Sequence, residues 1–338
     1  MNMFFSGPTA ITLTLLSAVM WGSWMQVIKL KGEYPVEGLV FWMFIFSFIL
    51  IWGIMLFWYP EAFLEESIAI SKGYVTVISE ILMGGAMLSC GVLFGLVVMQ
   101  DLGMLLVTTL SGTVTSILGI VTSIAKEGMP KTPGALFLIL TAAAGFFLAS
   151  FICAYASSMC NRDRKLEEKE REETNRQKKI SIPKVLLYIA LYAVLSNGWS
   201  IGTAAGVTSG MPVILICAYM SAGSVLGISV VCSIFFTYKR MWKTVLCINK
   251  KKQPLLLSMA AAFGYYGGNM ISIYCMPSLG VTLSFLFGRT YSLWTYFWSF
   301  LWKEYQGAGR KTMIVLGLGI AFYICALSLL FIYSYEGA

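Results

Sequence analysis

The sequence predicts an all-α integral membrane protein whose ten transmembrane helices form two inverted five-helix repeats. Three observations predict it. First, 58% of the 338 residues are hydrophobic and only 12% charged, about half the charged share of a soluble domain; mean hydropathy is +0.78. Second, the apolar residues come in blocks of about twenty, the length that crosses a hydrocarbon core about 30 Å thick. Third, landmarks recur at one spacing. Leu102-Gly103 reappears as Leu279-Gly280, Lys126-Glu127 as Lys303-Glu304, and Pro35 as Pro212, each 177 residues further on. At a spacing of 175, Ala18-Val19 reappears as Ala193-Val194 and Trp24 as Trp199. An odd number of spans per unit turns the second copy upside down in the membrane.

The blocks follow in order. Span 1 (9–28) starts after Pro8, and span 2 (39–59) lies between Pro35 and Pro60. Span 3 (75–99) ends before Leu102-Gly103, and span 4 (103–125) ends before Lys126. Span 5 (134–157) follows Pro133 and stops before a charged stretch; span 6 (184–205) follows Pro183. Span 7 (212–237) opens at Pro212 and span 8 (254–274) at Pro254. Span 9 (281–301) follows Leu279-Gly280, and span 10 (312–333) follows Arg310-Lys311. All nine prolines sit at or near block edges, where a missing N–H and a restricted preceding residue do least harm. Without water to satisfy the backbone, such spans should be helices; the alternation of barrel strands is absent.

Charge sets the organisation. The loops after spans 1, 3, 5, 7 and 9 hold 20 of the 24 Lys and Arg residues, which places those loops in the cytoplasm and both termini outside. Residues 1–158 then form the first repeat, 159–182 a cytoplasmic linker, and 183–338 the second repeat. The linker core, Asn161–Lys179, mixes eight basic with six acidic residues and suits a short solvated helix with charge pairs such as Glu167–Arg171. Lys239–Lys252 reads as a topology signal able to touch anionic headgroups. The net charge of +8 follows from these loops and calls for no nucleic acid. The first ten residues lack Lys and Arg, so a cleavable secretory leader is not expected. The eight cysteines form no CxxC pair and the chain has no histidine; neither a metal nor a cofactor is expected.

Polarity inside the spans singles out the candidate site. Glu80 in span 3 and Arg289 in span 9 are the two ionisable residues clearly at membrane depth. At about 1.5 Å of rise per residue they fall at similar depths, within reach of each other if their helices adjoin. Arg289 is read as a substrate or counter-ion group. Glu80 is a carboxylate able to exchange a proton, or else part of a fixed internal ion pair or a side chain snorkelling to the outer interface. Amides and aromatics lie nearby: Trp21 and Trp24 in span 1, Asn197 and Trp199 in span 6, and Tyr265, Tyr266 and Asn269 in span 8. Flat rings with a few amides are the usual wall for a small polar solute. The competing reading is hydrogen bonding between helices, with Trp in the interfacial belt. Gly91 and Gly95, with Gly264 and Gly268, form small-xxx-small pairs at corresponding places in the two halves, which mean close helix approach.

The stretches WGSWMQVIKLKG (21–32), MGGAMLSCG (83–91), LGMLLVTTLSG (102–112), GGNMISIYCMPSLGVTLSF (267–285) and KEYQGAGRKTMIVLGLG (303–319) give the chain a layout that resembles the drug/metabolite transporter superfamily. Within it, the branch of glucose/ribose porters, L-rhamnose–proton symporters and ureide permeases is the most similar. The resemblance implies ten helices in two inverted halves around a central cavity, and movement of a neutral solute with protons. The chain departs where relatives carry an amide soon after the glycine matching Gly91: Val92-Leu93-Phe94 are all apolar here, while Asn269 is kept. Arg289 is also foreign to a neutral-sugar site and admits a carboxylated solute.

The expected function is secondary transport of a small polar metabolite, a sugar first, by alternating access, coupled to protons or to another cation. A ureide or nucleobase permease is the alternative within the fold, and a non-transporting receptor or scaffold the alternative outside it. A nucleotide-binding GxxxxGK[ST] is absent. An enzyme is not expected, since one intramembrane carboxylate and no histidine assemble no catalytic set. The lipid bilayer is the expected surround and the plasma membrane the expected location; oligomeric state is open.

Overall fold

A computed structural model of the chain describes residues 5–58, 72–102, 133–171, 182–246 and 252–336, with individual residues between 107 and 128. The described residues contain helices and no strand. In order these are α1 (Gly7–Ser23), a 3₁₀ turn (Trp24–Gln26) continuing into α2 (Val27–Leu30), α3 (Val36–Trp58), α4 (Val75–Leu102), α5 (Pro133–Arg171), α6 (Ile182–Ser196), α7 (Gly198–Thr208), α8 (Val213–Lys239), α9 (Trp242–Val245), α10 (Gln253–Leu279), α11 (Val281–Gly288), α12 (Tyr291–Leu301) and α13 (Arg310–Glu336). Nine predicted blocks fall on these helices; most of span 4 (103–125) lies outside the described residues.

Among the described residues, six helical segments are long and apolar enough to cross a membrane: Gly7–Leu30, Val36–Phe57, Val75–Gln100, Leu136–Cys160, Val213–Lys239 and Arg310–Leu329. Predicted spans 6 and 9 are each broken. A turn at Asn197 separates α6 from α7, and a turn at Arg289-Thr290 separates α11 from α12. Both breaks tighten to i→i−3 bonds, Asn197 N to Val194 O (3.2 Å) and Thr290 N to Phe287 O (3.1 Å), which shorten the hydrogen-bonded ring and bend the axis. Span 8 is longer than predicted: α10 continues past Pro277 to Leu279. α5 runs without interruption from the membrane stretch into the charged linker as far as Arg171.

The outer faces are apolar. Leu226, Val230, Ile234 and Tyr238 form an exposed i, i+4 stripe on α8, while Ser221 and Ser224 on the same helix are wholly buried. Their hydroxyls bond to backbone carbonyls of the preceding turn, Ala218 O (2.7 Å) and Met220 O (2.9 Å). Polar inside and apolar outside is the pattern of a multi-pass membrane protein.

Contact order gives the helix directions. On α5 and α13, Gly145 meets Ala326, Cys153 meets Gly319 and Asp163 meets Thr312, so the pair is antiparallel. On α1 and α10, Trp24 meets Gly264, Met20 meets Gly267 and Ser17 meets Gly268, again antiparallel. On α4 and α6–α7, Ile81 meets Gly202, Gly84 meets Gly198 and Gly95 meets Tyr192, antiparallel too. Glu37 and Trp52 of α3 meet Cys232 and Ala218 of α8 in reversed order. α4 and α8 are parallel: Leu82 meets Gly223 and Ala86 meets Gly227. Ser23 and Gln26 accept from Trp298 and Trp302, so span 1 and α12 are parallel. Thr115 and Thr122 bond to Ala193 and Asn197 in rising order, so the described residues there run along α6.

The predicted glycine pairs sit at these contacts. Gly95 lies against the Tyr192 ring and Gly91 against Ser196; Gly264 lies against Trp24 and Gly268 against the Trp21 ring. A side chain at any of them would push an aromatic or polar residue of the neighbouring helix out of place.

The basic helix ends gather at one end of the bundle. Lys29 pairs with Glu304 at 2.6 Å, Cys160 donates to Glu304 O, and Tyr34 donates to Val245 O beyond α8. Asp163 Oδ2 accepts from Gly309 N (2.9 Å) and Thr312 Oγ1 (2.7 Å) at the start of α13. These bonds, first that of Thr312, hold its carboxyl below the usual carboxylate range. Because the folded form is the stronger acid, this contribution is present above the unfolded value of about 3.9 and is lost as pH falls through the lower folded value. Thermal unfolding of Asp163→Asn should therefore differ from wild type at neutral pH and converge with it below about pH 4.

Candidate functional site

A cavity of about 110 Å³ opens where the two sequence halves meet. One water needs about 10–15 Å³ on this measure, so the space suits a solute of monosaccharide size or smaller. Its wall is built from helical stripes, one turn apart. Trp21, Trp24 and Met25 come from the end of span 1, Leu88, Val92 and Leu96 from α4, and Tyr192, Ser196, Trp199 and Ser200 from α6–α7. Tyr265 and Asn269 come from α10, and Phe285, Gly288, Arg289 and Tyr291 from α11–α12; Thr115 completes the lining.

Both helix breaks lie on this cavity. Ser196, Trp199 and Ser200 flank the turn at Asn197; Gly288 and Tyr291 flank the turn at Arg289-Thr290. Broken helices beside a midplane cavity are a recurring solution for solute binding within a membrane.

Aromatic rings shape the walls. Trp21 and Trp199 meet edge to face with centroids 5.4 Å apart and planes at 87°. Trp24 packs on Tyr265 at 5.0 Å and Trp199 on Phe285 at 6.2 Å. Trp21 reaches its position because Gly268 and Gly288 leave room for the indole; a Cβ at either would stand 2.9 and 2.8 Å from its ring.

Polar groups cluster at the same wall. Trp21 Nε1, Trp199 Nε1 and Ser196 Oγ are buried without a hydrogen-bond partner among the described residues, and the Asn269 amide lies beside the Tyr265 hydroxyl. A buried donor left unmade costs about 1–3 kcal/mol, so three such groups around one cavity mark it as a place where a solute or water completes the bonding. Arg289 is 7% exposed. Its guanidinium carbon lies 5.1 Å from the Tyr291 ring centroid and 5.5 Å from that of Phe285, and Nη2 is 3.5 Å from the Tyr291 hydroxyl. A buried charge is costly unless compensated, and each cation–π contact returns about 0.5–2 kcal/mol.

Of the predicted site residues, the structure brings Arg289, Asn269, Trp24, Trp199 and Tyr265 to this cavity. Asn197 and Tyr266 lie outside its lining. Asn197 donates to Thr122 Oγ1 at 3.0 Å. Tyr266, fully buried, bonds to Ser224 Oγ at 2.6 Å and donates to Met220 O at 3.1 Å. Tyr265 and Tyr266 are about 100° apart around the helix, so only one of them faces the cavity.

Glu80 also lies outside the lining. It pairs with Lys126 at 2.8 Å, both side chains more than a third exposed, so it forms an exposed pair and neither an internal one nor one with Arg289. A pair this exposed is worth about 0–1 kcal/mol. Glu80→Gln should leave solute binding and its pH dependence at wild-type values and change thermal stability little. Lost pH dependence in that variant would return the carboxylate to the mechanism.

Sequence reasoning missed Tyr192, Ser196, Ser200 and Tyr291. The signal was there: Tyr192, Ser196 and Ser200 repeat every four residues along the face that carries Trp199, and Tyr291 follows Arg289 directly across a turn. The chain matches no known protein-family model and no curated protein sequence.

Proposed function

We propose that the chain is a secondary transporter that carries a small polar metabolite through this cavity by alternating access, in the manner of the drug/metabolite transporter superfamily. The observation that carries the reading is the partly polar cavity at the meeting of the two halves, bounded by both helix breaks. A scaffold would be expected to fill that space with apolar side chains.

In this proposal ten helices cross the membrane as two inverted repeats, and the helix contacts support it in two ways. The contacts exchange between halves: span 1 on span 8 matches span 6 on span 3, span 2 on span 8 matches span 7 on span 3, and span 5 packs on span 10. The directions agree with alternate crossing, odd spans running parallel to odd and opposite to even. Corresponding residues also meet corresponding partners, Gly91 with Ser196 and Gly268 with Trp21. The collected basic ends support a cytoplasmic face holding Lys29, Lys239, Lys303 and Arg310, with both termini outside.

Access alternates when the repeats rock about the cavity. At the basic end, Ser23–Trp298, Gln26–Trp302 and Lys29–Glu304 zip span 1 to span 9. At the other end, Asn197–Thr122 ties the corresponding segments. The proposal opens one set while the other holds. A solute panel of sugars, ureides and nucleobases offered to purified protein in liposomes tests it: saturable uptake of at least one is expected, and uptake of none above protein-free liposomes would refute the reading.

A further inference from the structure

Resting on the reading of the cavity as a solute site, we infer that Trp21 sets the size of solute the site accepts, limiting it to one small ring. The indole comes from the first sequence half and stands in a slot of the second. A Cβ on Gly268 of α10 would stand 2.9 Å from Trp21 Cδ1 and Nε1. A Cβ on Gly288 of α11 would stand 2.8 Å from Cζ3, at the opposite end of the same indole. The ring therefore bridges α10 and α11, and it lines the cavity beside Asn269, the residue that follows the first of these glycines. It also meets Trp199 edge to face at 5.4 Å.

Packing rather than hydrogen bonding holds this plate. Trp21 Nε1 has no hydrogen-bond partner among the described residues. The three atoms nearest to a Cβ at Gly288 all belong to Trp21. A packed interior takes up an added methyl only by displacing what it meets. A methyl at residue 288 must therefore push the indole, and the open side of the ring is the cavity.

The matching position in the other half indicates what the plate withholds. At the spacing of 175, Trp21 corresponds to Ser196. Trp21 packs on Gly268 and Ser196 on Gly91, glycines that themselves correspond. Both residues line the cavity. The short side chain of Ser196 leaves its side open, whereas the indole of Trp21 fills the corresponding place. A small residue at position 21 would give the cavity a second lobe the size of the indole, room for one more ring on the solute.

Thiol labelling in detergent-purified protein gauges the cavity without a known solute and without transport. Val92→Cys, in a background without the eight native cysteines, puts a thiol on the first-half wall. The probes are methyl and benzyl methanethiosulfonate, which differ by one ring. The readout is the benzyl-to-methyl ratio of labelling rates, relative to the protein with Trp21. Trp21→Ser should raise this ratio about tenfold or more, the scale on which a pocket discriminates by size. Trp21→Phe, the milder change, should raise it by a smaller factor and keeps the test alive if Trp21→Ser fails to fold. Gly288→Ala should lower the ratio, and adding Trp21→Phe to it should restore the ratio, because the shorter ring makes room for the methyl. A ratio unchanged in Trp21→Ser and Trp21→Phe, or a Gly288→Ala effect that Trp21→Phe does not relieve, would overturn the inference and leave the cavity as a solute site. No labelling of Val92→Cys by either reagent would instead remove the cavity as a reachable site, and the transport reading with it.

Discussion

Gly223→Ala should destabilise the protein by about 1–3 kcal/mol, and Gly223→Leu by more. The Cβ of residue 223 would collide with the Leu82 carbonyl oxygen and stand 2.8 Å from Leu82 Cα, which are backbone atoms with no rotamer to escape into. Gly85 and Gly227 make matching approaches to Met220 and Ala86, so α4 and α8 touch along three glycines. With little hydrophobic driving force between helices in lipid, this close packing and the hydrogen bonds it admits hold the pair together. Ser224 donates to Gly85 O at 3.0 Å only because the backbones are this near. Gly53→Ala and Gly317→Ala are the controls: a Cβ there meets nothing within 4 Å, and alanine favours helix by up to about 1 kcal/mol. A thermal unfolding midpoint unchanged in Gly223→Ala and Gly223→Leu would contradict the packing.

Cross-linking the basic end of the bundle should reduce transport at least tenfold. Lys29 and Glu304 each exchanged for cysteine, in a background without the eight native cysteines, can be joined by a short bis-thiol reagent. The Lys29–Glu304 pair is the last rung of the zip that includes Gln26–Trp302 at 2.7 Å and Ser23–Trp298 at 2.9 Å. If these helices must separate for the cavity to open at that end, a covalent tie stops the cycle while each single-cysteine protein still transports. Full activity in the joined protein would show that this end does not move.

Much of the membrane architecture was legible because hydropathy and proline position act over whole segments. The helix breaks were not. Asn197 and Arg289-Thr290 have no nearby proline; a glycine adjoins each, Gly198 and Gly288, but glycine within a span more often marks close packing, and Asn197 is held by Thr122, 75 residues away in sequence. Part of the cavity lining was legible. Asn269 and Arg289 stood out because polar groups at membrane depth need a reason. Tyr265 could not be separated from Tyr266, since α10 is packed on several sides and its apolar pattern sets no single inward face. Glu80 was placed with Arg289 by depth, and depth does not fix which helix is adjacent; Lys126, assigned to a loop, was nearer.

Counterflow in liposomes tests the central claim most directly, that the cavity binds a solute and carries it across. Liposomes preloaded with an unlabelled solute are diluted into a trace of the same compound in labelled form, with no ion gradient. A carrier with an alternating site exchanges one for the other, so labelled solute should rise above its equilibrium level and then decay. The rise should vanish when Lys29Cys and Glu304Cys are joined. Equilibration without a rise would mean an open pathway, and no entry of any solute the protein binds would mean a receptor; either result contradicts the account.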